Sequence, residues 1–401
     1  MITKNPESPT EVLYKYYGRK PPVQCLGRLK TEQILIKRGF LENADLVSEL
    51  RREAGKDGSD VDVFCNYGGL LNWLYGSTSI NPLPPHYHCR ECGTTIFPCI
   101  GDGWDMPAME CCGKPMIRDG HSIPVEVILS RLEHPDRTLD LRIAKSFADK
   151  AVEIIKQYYR QVYVPVPYDT EESEIADLCL ALVPKNKPLP ALFKNGIWHT
   201  SREELDDILG YRSIKLSFID IKDQLREFRL KTGLNPSMDE LLAEPVLAAT
   251  QEKLIGEILE NGGTPLKSEE LCFSSLLRVF GYLHSDHSAA NPVLTDNEAK
   301  YSDLFTSRED VWDLLVEALE PEYGISMEFA KKIARNVRCG AYTGNRMDQD
   351  TEQVLRGIGI SDHWITQMKE TCYLHGKTDL ITQLLEEMAL TWFELKEKEN
   401  G

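Results

Sequence analysis

The segment "NPLPPHYHCRECG" (81–93) leads out of a proline turn into a Cys-x-x-Cys loop. Two thiols at that spacing share one tight knuckle, the geometry that a tetrahedral zinc site takes from its first ligand pair. A second group follows in "MECCGKPM", where Cys111 and Cys112 are adjacent. Neighbouring side chains diverge, so adjacent cysteines rarely both reach one ion. The expected ligands are therefore Cys89, Cys92 and Cys112, with Cys111, Cys99, His86, His88 or His121 as the fourth. Such a metal would be structural, because the unit offers no open coordination position. Pro82, Pro84 and Pro85 suit it, since they lower the backbone entropy of a loop with little core of its own. The competing reading is a set of reduced thiols that hold no metal.

The rest of the chain divides into a mixed half and a helical half. Four regions are expected: 1–80, mixed and helical; 81–124, the cysteine unit; 125–213, α/β; and 214–401, helical. The apolar spacing of 30–54 predicts a helix. "SFADKAVEIIKQYY" (146–159) predicts another, started by Ser146 and Asp149, with Ala148, Ala151, Val152, Ile154 and Ile155 as its buried stripe. "QVYVPVPYD" reads as a short strand cut off by Pro165 and Pro167. "KNGIWHTSREELDDILGY" gives a strand-like piece and a short helix opened by Ser201 and Glu204 and closed by Gly210. From 214 onward the pattern is helical, with "SREDVWDLLVEALEP" running from a Ser307 cap to a proline. His284, Asp286 and His287 read as a turn with satisfied polar groups rather than as a second metal site.

The 401 residues suggest two or three folding units, with 42% hydrophobic and 27% charged residues, ordinary for a soluble globular protein. No apolar run approaches the roughly 18 residues of a membrane span, and the N-terminus lacks a signal core, so no membrane partner is expected. Isolated cysteines in apolar surroundings, Cys179 and Cys272, fit buried reduced thiols and a cytoplasmic location. The net charge of −17 disfavours nucleic acid as a partner, because phosphate contacts need clustered cations. The best local exception is "YYGRKPPVQCLGRLK" (16–30), which otherwise reads as a solvated loop.

Further along, "INPLPPHYHCRECG" and "GDGWDMPAMECCGKPMIRDGHSIPVEVIL" together resemble the zinc-bearing stretch of PolC-type alpha subunits of bacterial DNA polymerase III. The resemblance continues collinearly through "ELDDILGY", "LCFSSLLRVFGYLHSDHSAANP", "SREDVWDLLVEALEPEYGISMEFAKKIARNVRCG" and "ISDHWITQMKETCYLHGK". It implies an α+β fold: a reduced palm-like α/β unit with an inserted zinc-ribbon-like loop unit, then a mostly helical fingers-like domain. The family pattern places cysteines at Cys89, Cys92, Met109 and Cys112. Met109 departs from it and Cys111 stands in, giving Cys89, Cys92, Cys111 and Cys112 as zinc ligands, with Cys99 as an alternate.

The resemblance also implies two-metal phosphoryl transfer from converging carboxylates. The family's Asp-x-Asp pair falls on "HPDRTLDLRIA", where Thr138 occupies one of the two places, whichever of Asp136 and Asp140 is aligned. Its third aspartate is Asp207, and its nucleotide-binding lysine is Lys377. A Gly-Ser-Arg-Gly-Ser phosphate loop would fall on "VDVFCNYGGLLNWLYG", which keeps only Gly68 and Gly69. The losses lie on the chemistry, while apolar faces and the proline turn persist. The expectation is a catalytically degenerate polymerase-like protein that acts by binding, with replication proteins as candidate partners. Two alternatives compete with it. One is an active Mg²⁺-dependent nucleotidyltransferase using Asp136, Asp140 and Asp207; the other is a plain zinc-ribbon interaction module.

Overall fold

The computed structural model describes residues 8–17, 21–35, 40–63, 69–98, 101–126, 139–158, 162–165, 177–182, 193–194, 197–198, 212–267, 269–319 and 324–400. The chain folds into two compact units, one of Met1–Asn81, Arg90–Thr95 and Ile128–Asn235, the other of Pro82–Cys89, Ile96–Val127 and Pro236–Gly401.

The first unit opens with helices α1 (Pro9–Tyr17), α2 (Val23–Leu35) and α3 (Phe40–Lys56), strand β1 (Val61–Val63) and the short helix α4 (Leu70–Leu74). Strands β2 to β6 belong to the cysteine region described below. The first unit resumes with β7 (Leu139–Ile143), α5 (Ala148–Tyr158), β8 (Val162–Pro165), β9 (Asp177–Leu182), the small hairpin β10 (Phe193–Lys194) and β11 (Ile197–Trp198), β12 (Arg212–Phe218) and α6 (Asp220–Thr232). Five strands form one mixed sheet in the order β1-β7-β12-β9-β8, in which only β7 and β12 run parallel.

Alternation along "LDLRI" and "SIKLSF" sends side chains to opposite faces of this sheet. Val61, Leu139, Leu141, Ile143, Ile214 and Leu216 pack on Leu46, Val47 and Leu50 of α3 and on Ala151, Ile154 and Ile155 of α5. Asp62, Asp140, Arg142, Lys215 and Ser217 occupy the alternate positions and share the other face. The helical run thus begins at Asp220 rather than at 214, because 212–218 is a sheet strand of period two. The α5 stripe packs as its spacing predicts. Its start differs: residues 145–147 form a 3-10 turn, and Ser146 donates from both N and Oγ to Asp223 of α6, at 3.1 and 2.6 Å, instead of closing a box with Asp149.

The second unit holds most of the cysteine region, whose strands are β2 (His86–His88), β3 (Thr95–Ile96), β4 (Glu110–Cys111), β5 (Lys114–Pro115) and β6 (Ile117–Asp119). Its helices are α7 (Met238–Leu241), α8 (Glu244–Glu260), α9 (Phe273–His284), α10 (Arg308–Ala318), α11 (Gly324–Arg338), α12 (Gln349–Gly357), α13 (Asp362–Glu370) and α14 (Lys377–Asn400). Ser307 and Asp310 close a capping box at the start of α10. Trp312, Leu315, Ile333, Val337, Leu355 and Met368 form the centre of one helical core. The chain is therefore a mixed α/β region with small sheets and a four-cysteine cluster, followed by a mostly helical region. Among the described residues, no helix is long and apolar enough to cross a membrane.

Two close backbone approaches fold the cysteine region onto itself. A Cβ at Gly103 would lie 2.3 Å from the carbonyl carbon of Asp119, and one at Gly120 would lie 2.3 Å from the Pro84 carbonyl oxygen. Only glycine fits either place.

Candidate metal centre and the polar sheet face

Cys89 follows β2 and is buried, while Cys92 is exposed in the turn that comes next. Cys111 closes β4, and Cys112 with Gly113 forms the two-residue link to β5. Both linking residues have positive φ, 53° and 71°, as a primed hairpin turn requires. The left-handed backbone at Cys112 is what defeats the divergence expected of adjacent side chains. It turns the Cys112 thiol back beside Cys111, and the two sulfurs lie 3.9 Å apart. All four ligand atoms lie within 4.8 Å of one another. A tetrahedron of thiolates about 2.3 Å from a metal has edges of about 3.8 Å, so the cluster is close to ligating size. Thr94 Oγ1 stands 3.1 Å from Cys92 Sγ, where a hydroxyl can donate to a thiolate.

Two of the candidate histidines have other partners. The His86 ring is hydrogen-bonded through Nδ1 to the Pro84 carbonyl at 2.8 Å, and burial holds its pKa below the ordinary value. His121 contacts both oxygens of Asp102 through Nδ1 at 3.0 Å. His287, from the His-x-Asp-His stretch, is not a satisfied turn residue. It lies in a short strand with both ring nitrogens buried and unpartnered, and burial pushes it down to about 4. Cys272 is half-buried; Cys99 and the Cys179 side chain lie outside the described residues.

A network of charges ties the cysteine region to the helices of its own unit. The Asp105 carboxylate accepts from the Phe273 and Ser274 amides at 2.7 and 3.0 Å, capping α9 from 168 residues away. Arg118 donates to Asp239 of α7 and to the Met106 carbonyl. Lys377, at the start of α14, donates to the His121 carbonyl at 2.8 Å and stands 3.5 Å from Asp102. Burial pushes the Asp102 carboxyl up, but His121, Lys377 and the Trp104 amide outweigh it and hold it at about 2.

Of the three candidate catalytic carboxylates, Asp136 and Asp207 lie outside the described residues. Asp140 is half-buried on the polar face of the sheet, directly across from Lys215 of β12. Beside it, buried Asp62 faces Arg142 across the β1–β7 pair and forms an ion pair with Lys222, whose side chain is only 2% exposed. A parallel arrangement of opposite sign occupies α4. Gly69 is its N-cap, and the buried Glu32 carboxylate accepts from the Leu70 and Leu71 amides at 2.8 and 3.0 Å while pairing with Arg28. Gly68 lies outside the described residues.

No protein-family model matches the chain. Curated proteins do. The DNA polymerase III PolC-type of Thermotoga petrophila is 23% identical over 466 positions, covering 95% of this chain and 33% of that protein. The chain is a distant homologue of PolC-type DNA polymerase III. That of Latilactobacillus sakei is 35% identical over 135 positions, 32% of this chain and 9% of that protein, and that of Mycoplasma pneumoniae is 22% identical across 94% of this chain. The chain spans about a third of the length of the PolC-type relatives that it matches along most of its own length.

Sequence reasoning passed over Lys215, Glu32, Asp102 and Asp105. Period-two alternation in "RSIKLSF" would have placed Lys215 on a sheet face opposite the like-patterned "LDLRI". Glu32 gives a weaker signal, an acid on the same helical side as Cys25 and Leu29. Nothing local marks Asp105, whose partners lie far along the chain.

Proposed function

We propose that this chain is a divergent PolC-like module that transfers no nucleotides and acts by binding, with a structural zinc at Cys89, Cys92, Cys111 and Cys112. The observation that carries the first part is the strand register that sets Asp140 opposite Lys215. A carboxylate that holds Mg²⁺ needs other anions around it. At about 5 Å and an effective dielectric near 20, an ammonium repels a divalent ion by roughly 6–7 kcal/mol. Thr138, at one of the two places of the family's aspartate pair, adds to the deficit.

The α4 terminus supports the same reading from the side of the triphosphate. The resemblance puts a phosphate loop there, and Glu32 already supplies an anion to the free amides. Lys377, the family lysine, spends its ammonium on the His121 carbonyl and Asp102. The cysteine hairpin would hold zinc through four thiolates with no position left for substrate, so zinc would fold the region and carry no reaction step.

Primer extension with Mg²⁺ and deoxynucleotides tests the proposal. No extension is expected at any protein concentration. Extension that Asp207→Ala abolishes would install the active nucleotidyltransferase in its place.

A further inference from the structure

We propose that the outer face of α2 is a docking surface for an acidic amphipathic helix of another protein. Val23, Gly27, Lys30 and Ile34 recur at helical spacing on the side away from buried Cys25, Leu29 and Glu32, with Leu26 flanking them. Val23 is 81% and Ile34 74% exposed, the two most exposed large hydrophobic residues among those described, and Leu26 is 37% exposed. Between them a Cβ at Gly27 would meet open space, leaving a notch in the stripe. Aliphatic anchors around a notch, spaced over three turns, are what a helix-in-groove partner uses.

Charge selects the occupant. Residues 15–38 carry seven Lys and Arg against one acid, in a chain whose net charge is −17. That acid, Glu32, is turned inward on the α4 amides, and Lys30 stands exposed within the stripe. A short segment laid on the stripe lies within a Debye length, about 8 Å, of Lys30, and the sequence flanking the helix adds Arg19, Lys20, Lys37 and Arg38. A duplex or an anionic bilayer is large enough to feel the net negative charge as well. Val, Leu and Ile also offer bases no stacking platform.

The inference deepens the binding role proposed above and rests on it for its purpose, but it is read out separately. Primer extension tests the lost chemistry, and peptide binding tests this face. A fluorescein-labelled peptide of about 20 residues, with Leu at i, i+3, i+4 and i+7 and Glu at the remaining positions, is titrated with the full chain and followed by anisotropy. Saturable binding is expected, weakened about tenfold or more by Val23→Ser with Ile34→Ser and, separately, by Lys30→Glu. A shuffled peptide of the same composition should bind at least about tenfold more weakly. The three positions are exposed, and unchanged melting midpoints verify that the variants fold. Equal affinity for the two peptides, or for the variants and the parent chain, overturns the proposal. So does stronger binding of a short oligothymidylate or of phosphatidylglycerol vesicles. Self-association removed by the double serine variant would also overturn it, by making a second copy the occupant.

Discussion

The cysteine hairpin and the polar face of the sheet both gather groups that bind cations, and they differ in what stands beside those groups. At the hairpin and the Cys-x-x-Cys turn, four sulfurs converge within 4.8 Å, and a left-handed residue holds one of them in place. On the sheet, Asp62 and Asp140 each face a basic residue of the same chain. A place kept for a foreign ion leaves its ligands uncompensated. A place that has become structural balances its own charges. Under the function proposed above, the contrast would separate a metal site that is kept from one that is lost, without reference to whether an aspartate survives.

The largest test strikes the hairpin. Elemental analysis of the purified protein should find about one zinc per chain. Cys112→Ser should lose it together with the folded cysteine region, because structural zinc supplies on the order of 10 kcal/mol. A metal-free chain with an unchanged melting curve would remove the contrast altogether. Next, Lys222→Met should destabilise the first unit by roughly 1–3 kcal/mol in urea unfolding, since it removes the ion-pair partner of buried Asp62 and leaves Arg142 as the basic residue across from it. A neutral result would mean that Arg142 alone compensates Asp62.

Acid sharpens the comparison from the second unit. The Asp102 carboxyl lies at about 2 in the folded chain against an ordinary 3.8. A depressed folded pKa gives stability that is present above the unfolded value and lost as pH falls through the folded one. About 2 kcal/mol should therefore disappear between roughly pH 4 and 2. Asp102→Asn should flatten that segment of the stability curve. Asp105→Ala, which uncaps α9, should cost about 1 kcal/mol. The smallest effect is expected of Asp140→Asn, which should leave primer extension absent.

Much of the frame was legible in the sequence. The α5 stripe and the Ser307 cap are local patterns, each complete within a few turns. The proline turn and the Cys-x-x-Cys knuckle are local too. The convergence of Cys111 with Cys112 was not legible, because it depends on a backbone angle that a cysteine seldom adopts. The charge pairs escaped for another reason. Lys215 lies opposite Asp140 in the register, and Lys222 bonds to Asp62, across separations of 75 and 160 residues, and no window of sequence holds both partners. The strand at 212–218 is hard to separate from the helical half because seven residues of alternation are brief beside the long helices that follow.

The reach of Asp105 to the start of α9 also sets a timetable. That carboxylate leaves the ribosome 168 residues before the helix it caps. At about 5–20 residues per second the interval is roughly 10–30 s. Throughout it the hairpin has no helix to lean on, while its thiols are already made. An ion captured early would shield them from air and from one another until the downstream half arrives.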